Sequence, residues 1–109
     1  LVEYLDSLAR FEALNPDVVL PGHGPAFTSV AQLVATTRRH HLGRADEILA
    51  HIERMGAPTA YELSRVVFPR IEGFEILLSI SEILGHVDLL VDGGSVVIDL
   101  GAPTRYLAT

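Results

Sequence analysis

The stretch Pro21-Gly22-His23-Gly24-Pro25 decides how the rest of this chain is interpreted. It follows a short apolar run, Val18-Val19-Leu20, which predicts a buried strand. Glycine reaches backbone angles that other residues avoid, and proline fixes its own φ. The stretch therefore predicts a stiff turn at the end of a strand, with one imidazole held in one place.

Three residues of this turn, Pro21, Gly22 and Gly24, are predicted to shape the loop around His23. We interpret His23 as a metal ligand, because a rigidly mounted imidazole suits coordination. The alternative is a structural histidine satisfied by backbone groups. Within these residues alone the structural interpretation is favoured, since no second ligand stands at a suitable spacing.

The bulk composition predicts a packed core. The chain has 109 residues, of which 49% are apolar and 20% charged. It has no cysteine, which excludes disulfides and thiolate zinc sites. No apolar run approaches the ~18–20 residues of a membrane span, and no secretory signal is visible. We therefore expect a cytoplasmic protein without a membrane partner. Since the chain opens with Leu1 in a helix-like pattern, we also expect it to be a piece of a longer protein.

Apolar spacing and turn residues predict the secondary structure. Thr28 or Ser29 can cap a long helix, and Thr59 with Glu62 forms a capping box before a short one. Gly43 predicts a bend or a break in the long helix. The predicted elements are a helix over 1–14, a strand at 18–20, helices over 30–55, 60–67 and 74–91, and strands at 96–100 and 105–108.

Two helices have distinctive faces. On the long helix, one apolar face includes Ile48, Ile52 and Met55. The last helix is almost entirely apolar, so most of its surface is predicted to be buried. Its polar residues form one narrow stripe, made of Glu75, Ser79, Glu82 and His86.

The order helix, short helix, longer helix and β-hairpin from about residue 40 onward predicts a winged-helix variant of helix-turn-helix. The predicted domains are residues 1–38 and 39–109, with the boundary inside the long helix. Residues 1–36 are expected to be disordered, packed on the winged helix, or buried in a dimer.

These motifs resemble a known family. Pro21-Gly22-His23-Gly24 after a late strand looks like the end of a metallo-β-lactamase-fold hydrolase domain. The rest resembles the winged-helix domain that follows it in one branch of that family. The chain departs from that branch's pattern at His41, Ala45 and Glu47, and it matches the pattern at His40, Leu42, Arg44, Ile48 and Leu49.

The resemblance implies an α+β, mainly α chain: a winged helix preceded by the last helix-strand-loop segment of a metallo-β-lactamase αββα sandwich. It implies that His23 is one metal ligand, with zinc as the expected metal, in an intact hydrolase. The family's main metal-binding motif is absent from these residues, so we expect no catalysis by them alone, and no metal bound to them alone. Expected partners are an upstream hydrolase domain of the same chain and a second copy in a homodimer.

The other histidines have weaker claims to function. His40 and His41, beside Arg38, Arg39 and Arg44, could form an anion-binding cluster. Adjacent helical residues point about 100° apart, which favours a solvated helix face instead. No base or nucleophile is identified as a partner of His51, which is predicted to lie on the surface. His86 matches a histidine of the family pattern, and the resemblance implies a structural or interface residue.

Charge argues against nucleic-acid binding. From Arg44 onward ten acidic residues stand against five arginines, a net charge of −5. The predicted recognition helix, 74–91, has no Arg or Lys to offer to phosphates or base edges. The alternative to the hydrolase interpretation is therefore a non-enzymatic interaction or dimerisation module. A DNA-binding regulator comes third.

Overall fold

The computed structural model describes residues 1–109 and consists of four helices and one β-hairpin. This mainly helical α+β architecture confirms the predicted class. The elements are α1 (Val2–Ala13), α2 (Val30–Met55), α3 (Ala60–Val67), α4 (Glu75–Asp92), β1 (Val96–Asp99) and β2 (Arg105–Ala108).

The core lies where the second half of α2 meets α3, α4 and the hairpin. The strands β1 and β2 pair antiparallel, with Val96 opposite Ala108 and Asp99 opposite Arg105. This arrangement closes one end of the helical layer. We call α2 from Ala45 onward, α3, α4 and the hairpin the three-helix unit. Its buried hydrophobic core consists of Ala45, Ile48, Ile52, Leu63, Ile83, Val87, Leu90, Val96 and Tyr106.

The helix α2 runs through Gly43 without a break. Of the bend or break predicted there, the break was wrong, because an interior glycine costs only about 1 kcal/mol relative to alanine. The bend stays a prediction. Packing on both sides outweighs that cost: Val34 before Gly43 and Ala45 after it are both buried. The predicted domain boundary falls inside this continuous helix, and the division at residues 38 and 39 stays a prediction.

The segment before the Pro-Gly-His-Gly loop does not form the predicted buried strand. It makes one isolated bridge, in which Val19 and Phe27 exchange backbone hydrogen bonds of 2.8 and 3.1 Å. Val18 is 54% exposed and Leu20 80% exposed. A ladder needs a neighbouring strand to satisfy successive backbone groups, and here only Phe27 supplies one.

The helix α1 packs onto α2 and α4 and buries Leu5. Near its start, Leu1 lies against α4: a Cβ added at Gly85 would sit 3.6 Å from the Leu1 Cβ. Of the three outcomes considered for the N-terminal residues, the structure shows helix α1 packed on the three-helix unit.

The burial of α4 differs from the prediction in both directions. Leu77 and Leu78 are 61% and 59% exposed, although most of the helix surface was predicted to be buried. Conversely, Ser79 and His86 of the polar stripe are buried. Ser79 can be buried because its hydroxyl donates to the carbonyl of Ile76 at 2.7 Å. Leu78 borders an open groove with Phe68 and Ile71, and neither leucine is covered by the chain. Similarly, Met55, predicted on the apolar face of α2, is exposed at that helix's end.

Two helix starts show different capping. Ser29 occupies the N-cap of α2, but its side chain makes no capping hydrogen bond. At α3 the Glu62 amide donates to the Thr59 hydroxyl at 3.1 Å, and the Thr59 amide donates to the Glu62 carboxylate at 2.8 Å. This confirms the predicted capping box. The hydrogen bond from the Thr59 amide lowers the pKa of Glu62. The stabilisation that this hydrogen bond gives to the fold is therefore present at neutral pH and is lost as the pH falls through the lowered pKa of Glu62.

We expect Thr59→Ala to destabilise the chain by about 1 kcal/mol, because it removes a capping oxygen from α3. The matched control, Ser29→Ala, should change stability by less than about 0.5 kcal/mol, since no capping bond is lost. Urea denaturation followed by circular dichroism measures both. Equal losses in the two variants would contradict the assignment of the cap.

Candidate functional site

The Pro-Gly-His-Gly loop is exposed and is closed at its base by the Val19–Phe27 bridge. Gly24 has φ of +92°, a conformation that residues with a side chain rarely adopt. His23 lies at the surface of this loop. No group of three or more His, Cys, Asp or Glu residues in the chain could hold a metal ion. His23 therefore offers one imidazole, and the residues present do not complete a metal site around it.

A second histidine site lies where α1, α2 and α4 meet. The Nδ1 of His41 on α2 is 3.2 Å from the Nε2 of His86 on α4. His86 is only 1% exposed, and its Nδ1 lies 2.8 Å from the backbone carbonyl oxygen of Glu82. Burial confirms the structural role predicted for His86.

The hydrogen-bond partners determine where the protons lie. A carbonyl oxygen can only accept, so the Nδ1 of His86 carries a hydrogen and donates to Glu82. In the neutral imidazole the Nε2 of His86 is then an acceptor. His41 must donate to it from Nδ1, which leaves the Nε2 of His41 without a proton. Both neutral histidines are thus fixed in the same tautomer by one backbone carbonyl.

Aromatic and charged groups surround His41. The ring of Tyr4 on α1 stands edge-on at 5.8 Å between centroids, and the ring of His40 lies at 5.3 Å. Burial lowers the pKa of His41, and His86 and His40 lower it further, while Glu82 opposes them. The Glu82 carboxylate also lies 3.7 Å from the Nδ1 of His86. At neutral pH His41 is therefore uncharged.

The neighbouring cations do not converge on one ligand. Arg44 forms an ion pair with Glu47 at 2.8 Å, and its guanidinium lies 5.1 Å from the ring centroid of Phe68. Arg38, Arg39 and His40 are exposed and form no ion pair within the chain. Their exposure agrees with the solvated helix face favoured for this segment, and the anion-binding cluster stays a prediction.

The contact between His41 and His86 was not foreseen, because His41 was assigned to a solvated helix face. The two residues are 45 positions apart, and no local pattern joins them. The available signal was indirect: His41 is one of the positions at which the chain departs from the winged-helix pattern that it resembles. His51, predicted on the surface, is half-buried and is hydrogen-bonded to Arg54.

Comparisons with known proteins agree with the fold. No protein-family profile matches the chain. It is 33% identical over 90 residues to the probable metallo-hydrolase YqjP of Bacillus subtilis, a match that covers 83% of this chain and 28% of that protein. A solved beta-lactamase domain protein from Burkholderia ambifaria superposes with a TM-score of 0.82 at 32% identity, covering 97% of this chain and 32% of that one. The chain is homologous to metallo-β-lactamase-fold proteins.

A second solved structure supports the same relationship. The metallo-beta-lactamase family protein TTHA1429 of Thermus thermophilus superposes with a TM-score of 0.75 at 32% identity. The match again covers 97% of this chain and 32% of the other. The chain thus spans about a third of the length of the metallo-β-lactamase-fold proteins that it matches. None of its helices is both long and apolar enough to cross a membrane.

We expect His86→Ala to destabilise the chain by roughly 2–4 kcal/mol, because it leaves a cavity and removes the acceptor of His41. The neighbour His40 provides the control, and His40→Ala should change stability by less than about 0.5 kcal/mol. Chemical denaturation at pH 7.5 measures both. A similar small effect for the two variants would contradict the buried role of His86.

Proposed function

We propose that this chain forms part of a metal-dependent hydrolase of the metallo-β-lactamase superfamily. The observation that carries the proposal is the match to two solved structures of that superfamily over 97% of the chain. The 33% identity to a probable metallo-hydrolase supports the same reaction class. Zinc is the proposed metal, since it is commonly bound by histidine in hydrolytic sites.

In this proposal His23 is one of the metal ligands. Its loop is closed at the base by the Val19–Phe27 bridge and contains Gly24 at positive φ, so the backbone that carries the imidazole has a defined conformation. A zinc site takes three or four protein ligands, and the remainder must come from outside the residues described. We therefore assign no catalytic step to these residues alone.

The partner proposed for the N-terminal segment is a hydrolase domain of the same polypeptide. Leu14, Val18 and Leu20 are all exposed beside the Pro-Gly-His-Gly loop. Apolar side chains so close together in sequence favour a covering partner over solvent. A domain that supplied the missing metal ligands would also lie next to these side chains.

The three-helix unit is proposed to act as a winged helix that lines the substrate entrance or mediates dimerisation. Support comes from the outer face of α4, where Phe74, Leu77 and Leu78 are all more than half exposed. The same face supports the alternative, a non-enzymatic interaction module. A nucleic-acid partner is disfavoured, because α4 carries four acidic residues and no basic one.

The metal proposal is tested in the complete protein that contains this chain. His23→Ala should lower metal affinity by more than about tenfold, since even groups that only support a ligand change affinity by about 10–100-fold. Hydrolysis of a chromogenic ester or phosphodiester should fall with it. His51→Ala, on the far part of α2, is the control. Full metal content and activity in the His23 variant would refute its role as a ligand.

The role of the α4 face is tested by Leu78→Asp in the same protein. A charge there should shift the molar mass measured by light scattering if the face is a dimer interface, because burying a carboxylate opposes association. It should change substrate range at constant mass if the face lines the entrance. Val97→Asp, on the exposed side of β1, is the matched control. No change in either property would exclude both roles.

A further inference from the structure

The contact between His41 and His86 can accommodate one added proton but not two. In the neutral pair, the Nδ1–H of His41 donates to the Nε2 of His86, and the Nε2 of His41 remains open for a proton. A second proton would have to enter at the Nε2 of His86, where it would meet the Nδ1–H of His41 across 3.2 Å. Two donors and two positive charges would then face each other in a buried contact.

We propose that His41 and His86 form a pH-sensitive clasp that holds α1 on α2 and α4 near neutral pH and releases α1 in acid. The proposal is independent of the hydrolase assignment. It rests on the position of the pair, which joins α2 to α4 directly beneath α1.

The helix α1 depends on this pair through Tyr4 and its neighbours. The Tyr4 ring packs edge-on against His41, and the next residue, Leu5, is the buried residue of α1. Leu1 lies over Gly85, next to His86 on α4. Any movement that separates His41 from His86 therefore displaces the surface on which α1 rests. The core around Ile48 and Ile52 lies further along α2 and keeps its own contacts with α3 and the hairpin.

The groups that face the pair come from all three helices. From α1 comes the Tyr4 ring; from α2 comes His40; from α4 comes the Glu82 carboxylate. Glu82 favours a charged His41, whereas burial, His86 and His40 oppose it. The opposing influences prevail, so the pKa of His41 lies below its usual value of 6.5.

The sign of the pH dependence follows from linkage. The docked form binds protons more weakly than a form in which His41 and His86 are hydrated. Docking of α1 is therefore strongest above the usual histidine pKa and weakens as the pH falls through that value and below it.

Amide hydrogen exchange of the full chain at pH 7.5 and pH 5.0 tests the clasp, with rates normalised to those of unstructured peptides. Protection factors in α1 should fall several-fold at pH 5.0, because the released form takes up protons that the docked contact excludes. Protection in the second half of α2 and in α3 should change less. An α1 whose protection is the same at both pH values would overturn the proposal.

Variants identify the groups responsible. His41→Gln keeps a hydrogen-bonding side chain without a titrating ring, so the pH dependence of α1 protection should shrink to less than about a third of the wild-type change. His51→Gln, remote from the pair on the same helix, should retain the full change. If His41→Gln retains it too, another group is responsible and the clasp is wrong. His86→Gln tests the other histidine of the pair by the same measurement, the pH dependence of α1 protection. Protection in α3 shows whether that variant is folded.

Discussion

The burial of one face of α2 is the interaction on which the rest of the structure depends. Ile48 and Ile52 are fully buried between α3, α4 and the hairpin, so this single helix organises the core. The same helix continues without interruption toward Ser29 and the Pro-Gly-His-Gly loop. A rigid rod thus connects the packed core to the loop that presents His23. Ser29, the N-cap of α2, follows His23 closely in the chain, so the loop is joined directly to the helix that builds the core.

Local rules predicted most of the fold, because the features that define it are local. The bounds of α2 follow from a polar N-cap position and from Gly56, which ends the helix with φ of +87°. The capping box at Thr59 and Glu62 needs only two side chains three positions apart. The hairpin follows from two short, mainly apolar runs on either side of the turn Gly101-Ala102-Pro103. Each of these signals is complete within a few residues of the element that it specifies.

What failed depended on contacts between distant parts of the chain. The run from Val18 to Leu20 has the composition of a buried strand, but a strand forms only where neighbours pair with it. The second failure is His41, which was assigned to a solvated helix face: its Nδ1 contacts the buried His86, whose other nitrogen is satisfied by the Glu82 carbonyl. No buried side-chain nitrogen or oxygen in the chain lacks a partner. Polarity therefore did not predict exposure where a distant partner was available.

These two failures are connected by the way the chain distributes its apolar and polar groups. The exposed residues Val18, Leu20 and Leu78 are apolar groups without cover, whereas His86 is a polar group with full cover. A self-contained domain would have few exposed apolar side chains of this sort, because burying a leucine supplies about 1.5–3 kcal/mol of stabilisation. A buried polar side chain such as His86 reduces the free energy of unfolding only slightly once its hydrogen bonds are made. The uncovered side chains thus mark surfaces suited to further protein, while the histidine pair completes the internal contact between α2 and α4 beneath α1.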